Sequence, residues 1–129
     1  MYFEDLTPYA YTQERLPADG SSMLNFGWLD SDHEYPKGQV APAIVECMLR
    51  LAAEYVNGTR GYHRCPFCAE RGQISMLLGA ETVYLGSAEI HVTVDDTTYV
   101  APSLVPHYVQ DHGYLPPAEV LRALEDTCD

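Results

Sequence analysis

Basic residues are scarce in this 129-residue chain: 7 Lys+Arg stand against 19 Asp+Glu, a formal charge of −12. A protein that grips a phosphate backbone needs clustered Lys and Arg, so nucleic acid is not an expected partner. Long apolar runs are missing too. No stretch of 18 apolar residues occurs, and no basic start leads into an apolar stretch. Neither a membrane span nor a secretory signal is expected. Cysteine is sparse, with 4 residues placed unevenly at 47, 65, 68 and 128, which does not suit a secreted disulfide scaffold. The expected location is cytoplasmic, where thiols stay reduced or bind metal. Gly-x-Ser-x-Gly, His-Glu-x-x-His, Walker and dinucleotide glycine patterns are all absent, so no hydrolase or nucleotide signature is present.

At 47% hydrophobic and 11% aromatic, the composition is that of a folded chain rather than a disordered one. The length suits one domain over residues 1–129. Acidity is spread evenly, since residues 1–58 and 59–129 each carry −6. Such a surface favours solubility, and it also matches a basic protein partner.

Residues 1–40 carry many punctuators and little periodicity, and read as an irregular N-terminal segment packed on the core through groups such as Tyr2, Phe3, Leu6, Tyr9 and Tyr11. Met23–Leu29 reads as a short strand with Trp28 as a packing anchor. Ala43–Val56 follows the helical apolar period behind Pro42, with Asn57-Gly58 as a C-terminal cap. Cys47 lies on its apolar stripe and reads as a small core residue, and Cys128 is assigned no role. Strand chemistry follows in Gln73–Leu78, Thr82–Leu85, Ala88–Val94 and Thr97–Ala101, the last two joined by Asp95-Asp96. In this reading Ile90, Val92 and Val94 share one face, and Glu89, His91 and Thr93 share the exposed one. Ser103–His112 reads as a helix stopped by Gly113, and Pro116-Pro117 opens a last helix reaching about Asp126. The fold class is α+β: an antiparallel sheet of about four strands packed with three helices.

The chemistry concentrates in two segments, GYHRCPFC (61–68) and HYVQDH (107–112). A Cys-x2-Cys turn brings two thiolates within reach of one ion, and His-x4-His falls within the spacing accepted for paired imidazoles in zinc sites. Cys65, Cys68, His107 and His112 therefore form a candidate tetrahedral zinc set, with the ion stapling the knuckle to a helix across the sheet. Residues five apart on a regular helix diverge by roughly 140°, so His112 must sit in a distorted last turn, which Gly113 permits. Otherwise His112 is a core residue and His63 takes the fourth place. A reduced, metal-free Cys-x-x-Cys loop is the simpler alternative. Arg60, Arg64 and Arg71 flank the knuckle, either as plain exposed residues or as cations that lower the thiol pKa values.

Two other chemistries have partial signatures in the chain. Cys65-Pro-Phe-Cys68 resembles the active-site motif of glutaredoxins, which implies thiol–disulfide exchange at Cys65. That motif needs an apolar strand before it and a long helix after it, and the sequence offers neither. Asp30-Ser31-Asp32-His33-Glu34 lacks the EF-hand register and reads as a solvated loop.

The stretches LTPY, FGWLD, GYHRCPFC, LGSAEI and HYVQDHGYLPP together resemble a group of small acidic bacterial proteins of uncharacterised function. The resemblance implies a single domain and brings no activity with it. The expectation is a cytoplasmic zinc protein that binds another protein, a basic one being the complementary choice, in a toxin-neutralising or adaptor-like role rather than as an enzyme.

Overall fold

The computed structural model describes residues 3–8, 22–54, 64–68 and 72–128. They form a small α+β domain in the order β1 (Ser22–Asn25), α1 (Pro42–Ala53), β2 (Ser75–Leu78), β3 (Glu81–Tyr84), β4 (Glu89–Val94), β5 (Thr97–Pro102), α2 (Val105–His112) and α3 (Ala118–Cys128). The strands divide into a β1-β5-β4 sheet and a separate β2-β3 hairpin. β4 and β5 pair antiparallel across Asp95-Asp96, where Asp95 takes a positive φ of 55°. β1 pairs parallel to β5, Asn25 lying opposite Val100. That pairing joins residues 75 positions apart and has no local signature, which is why a wholly antiparallel sheet is what periodicity suggests. No helix among the described residues is long and apolar enough to cross a membrane.

α1 opens with Pro42 in its first turn and buries Ile44, Val45, Cys47, Met48, Leu49 and Ala52 along one face. On its wet face Arg50 pairs with Glu46 at 2.6 Å. The helix ends at Ala53, short of Val56. The Asn57-Gly58 cap lies outside the described residues. β4 sends Ile90 and Val92 into the same core, met by Leu104, Val120 and Leu124 from the helices around it. Glu89 shares the face of His91 and Thr93 but is not on open surface. It is buried, and its carboxylate lies 3.1 Å from His91 Nε2.

The N-terminal residues 3–8 lie against β1 and the residues just after it, as far as Trp28. Asn25 N–H donates to Thr7 O, Leu6 N–H donates to Asn25 O, and Phe3 meets Trp28 edge-on at 5.5 Å. Trp28 in turn donates its indole N–H to Val100 O. Tyr2, Tyr9 and Tyr11, also expected on the core, lie outside the described residues.

Cys47 and Cys128 are joined by a disulfide. Cys47 is a buried core residue as its place on the apolar stripe suggests, while the bond corrects the expectation that the thiols stay reduced or bind metal and gives Cys128 a role. Their separation of 81 positions hid the contact, which exists only because α1 and α3 pack together.

Candidate metal centre

Cys65 begins a tight turn. Cys68 N–H donates to Cys65 O at 3.1 Å, with Pro66 presetting the backbone at the first corner position. Phe67, at the second corner, is the peg that seats the turn. Its ring packs against Tyr35 (5.4 Å), Tyr108 (5.8 Å) and His112 (5.0 Å). The knuckle is thereby pressed onto α2.

α2 starts at Val105-Pro106 and buries Val105, His107, Tyr108 and Val109. Its end is not regular. Gly113, at φ 68°, turns its N–H back to Tyr108 O, and Tyr114 N–H reaches the same oxygen at 3.1 Å. A bond spanning five residues encloses a wider turn than the α-helical one, so residues five apart come closer to the same face. The segment before α1 holds this end in place: Tyr35 OH donates to His112 O at 2.8 Å, and Gly38 N–H donates to Gly113 O at 3.0 Å.

The result is a cluster. Cys65, Cys68, His107 and His112 each offer one donor atom, and all four atoms lie within 4.8 Å of one another. His112 Nε2 is 3.4 Å from Cys65 Sγ, 3.3 Å from Cys68 Sγ and 3.2 Å from His107 Nε2. Cys68 Sγ is 3.5 Å from His107 Nε2. With metal–sulfur bonds of about 2.3 Å and metal–nitrogen bonds of about 2.0–2.1 Å, a tetrahedron places S and N donors roughly 3.5 Å apart and two N donors about 3.3 Å apart. The four side chains are positioned to bind a metal ion, and three S–N separations and the N–N separation are close to tetrahedral edges, within a set that spans 4.8 Å. His63, the alternative fourth group, lies outside the described residues.

The electrostatics follow from burial. Cys65 is 1% exposed, and desolvation pushes its thiol up to about 11. Phe67 N–H acts on the sulfur in the opposite direction, and the neighbouring Cys68 raises it further. Arg64 is exposed, while Arg60 and Arg71 lie outside the described residues. Tyr108 is likewise driven well above its ordinary value, first by burial and then by the two thiols, so its hydroxyl keeps its proton.

One contributor escapes the sequence reading. Asp111 Oδ2 is 3.2 Å from His107 Nδ1, one helical turn away, which places a carboxylate on the far side of the ring from Nε2, the nitrogen that faces the thiols. The signal was present in the sequence, because Asp111 follows His107 at i+4. The acidic run 30–34 stays apart from the site. His33 Nδ1 is 2.7 Å from Asp30 Oδ1, and that contact holds the Asp30 carboxyl below its ordinary range.

Over residues 1–125 the chain matches a domain family of unknown function, DUF7919, and it belongs to that family. Searches of curated proteins and of solved structures each found no match.

Proposed function

We propose that this member of the family holds one zinc ion through Cys65, Cys68, His107 and His112, in a closed structural site that fixes the knuckle to α2. The observation that carries the reading is the convergence of two sulfurs and two imidazole nitrogens within 4.8 Å, with three S–N contacts and the N–N contact near tetrahedral edge lengths. The donor set suits zinc: soft thiolates with imidazoles in fourfold geometry. Four protein ligands leave no open position for a substrate, which favours a structural over a catalytic ion.

The domain then acts by binding another protein. A charge of −12 favours a basic partner by electrostatic steering. Leu77 and Tyr84 stand on one face of the β2-β3 hairpin, 69% and 65% exposed, and offer apolar contact area within that acidic surface. A toxin-neutralising or adaptor-like role in the cytoplasm fits these properties. Thiol–disulfide exchange at Cys65 fits less well. The sulfur is buried, its thiol is raised rather than activated, and it opens a turn rather than a helix.

The test is metal content per chain in protein purified without added metal. Near-stoichiometric zinc, and a large loss of thermal stability in Cys65→Ser or Cys68→Ser, are the expected results, because structural zinc binding is coupled to folding. Metal-free protein whose melting is unchanged by either substitution would overturn the reading.

A further inference from the structure

The four cysteines fall into two pairs with separate chemistry. Cys65 and Cys68 face the imidazoles, whereas Cys47 and Cys128 are bonded to each other, their Cα atoms 5.8 Å apart. This bond ties the middle of α1 to the last residue of α3. Its two ends differ in access: Cys47 is 1% exposed, and Cys128 is only partly buried at the helix terminus. The Cys47 sulfur also lies 3.5 Å from Leu124 O. A disulfide sulfur has no proton to give that oxygen, but a thiol has one, and a carbonyl with two lone pairs can accept it alongside a helical N–H. The surroundings of Cys47 therefore accommodate the thiol as well as the disulfide.

We propose that the Cys47–Cys128 bond is a reversible redox latch on the end of α3, and that this pair, not Cys65-Pro-Phe-Cys68, is the redox-active dithiol of the protein. In a reducing compartment such bonds are as a rule transient and regulatory. The reductant is a dithiol, either a small molecule or a protein of the thioredoxin class. One of its thiolates attacks Cys128 Sγ, the accessible sulfur, and a mixed disulfide forms as the Cys47–Cys128 bond breaks. Cys47 leaves as a thiolate, takes up a proton and turns its S–H to Leu124 O. The second thiolate of the reductant then attacks its own sulfur in the mixed disulfide, leaving the reductant as a disulfide and releasing Cys128, which is protonated. Two electrons and two protons pass to the protein in total.

Cutting the bond leaves most of α3 in place. Val120, Ala123 and Leu124 stay buried against the core, while Glu125, Asp126 and Thr127 are exposed. The part released is the last turn. None of the four metal-facing residues lies on α3, so opening the latch removes no side chain from the metal site.

The test uses the full chain, oxidised and with its metal, titrated with dithiothreitol and with glutathione buffers under native conditions. Alkylation at each cysteine, amide hydrogen exchange and bound metal are read on the same sample. Cys128 should become alkylated while the fold persists, and exchange at 125–128 should rise at least tenfold. Bound metal should stay constant, and oxidised glutathione should restore the slow exchange. A Cys128→Ser variant should exchange fast at 125–127 whatever the redox buffer. The proposal is overturned if the bond resists the dithiol until the protein unfolds, if exchange at 125–128 does not respond, or if alkylation appears first at Cys65 and Cys68 with loss of metal. Protein that carries no metal but still shows reversible reduction at Cys128 would remove the zinc reading and leave the latch standing.

Discussion

His107 Nε2 and His112 Nε2 lie 3.2 Å apart although five residues separate them on one helix. A regular helix would turn them roughly 140° away from each other. The contact exists because the last turn of α2 is closed by Gly113 and Tyr114 onto Tyr108 O, and because Asp111 holds the His107 ring from the other side. The helix end, more than the residue spacing, makes the pair of imidazoles usable.

Asp111→Ala should weaken metal binding by about tenfold, in the lower part of the range for loss of a group that orients a ligating histidine. Asp111 is 42% exposed, so the fold should survive. Chelator competition on the variant measures the effect. An affinity equal to wild type would show that the Asp111 carboxylate does not orient His107.

Gly113→Ala separates backbone strain from steric crowding. A Cβ at Gly113 meets nothing within 4 Å, yet φ is +68°, so the cost is conformational and amounts to about 1 kcal/mol. Gly79 makes the ideal control, with φ +62° and equally open space, at the β2-β3 turn. Both alanine variants should lose similar stability in denaturant melts. Only Gly113→Ala should also lose metal affinity, by severalfold, because only that turn carries His112. Equal affinity in the two variants would detach the helix cap from the site.

These contrasts show what a sequence can disclose. The knuckle and HYVQDH were readable because a metal site demands particular residue types at short spacings, and both halves are local in the chain. Even the distorted last turn was readable, since Gly113 stands next to His112. The Cys47–Cys128 bond and the β1–β5 pairing were not, because each joins segments more than 70 residues apart and nothing in either segment names its partner. Glu89 was misplaced for a related reason: alternation assigns a side chain to a face of the sheet but does not say what covers that face.

Gly27→Ala should cost more than Gly113→Ala. Its φ is +74°, and an added Cβ would approach Val105 Cγ2 to 2.7 Å, with Tyr114 Cε2 at 3.6 Å behind it. Val105 is fully buried, so it has little room to retreat. Backbone strain and overpacking together should lower stability by roughly 2–4 kcal/mol, read from the midpoint of a denaturant melt. A loss no larger than that of Gly113→Ala would mean that the first turn of α2 yields to the new methyl group.

The last prediction concerns Asp5 and pH. Asp5 accepts bonds from Gly27 N–H at 3.1 Å and from the Tyr114 hydroxyl at 3.0 Å to each oxygen, and so ties the N-terminal segment to the α2–α3 connection. Burial nevertheless raises its carboxyl above the ordinary 3.8, while the Gly27 and Tyr114 bonds pull it down. A raised carboxyl binds its proton more tightly in the folded chain than in the unfolded one. Its stabilising contribution is therefore complete below 3.8 and is lost as pH rises through the folded value. Asp5→Asn removes that titration while leaving the histidines and the other carboxylates to titrate as before. The stability of wild type minus that of Asp5→Asn should thus fall as pH is raised from 3 towards neutrality. Tyr114→Phe deletes a bond that lowers the Asp5 value, so in that background the decline should extend to higher pH. Denaturant melts of the four chains (wild type, the two single variants and the double variant) across this range give the differences directly. A wild-type advantage that grows with pH would reverse the sign and show that hydrogen bonding, rather than burial, dominates at Asp5.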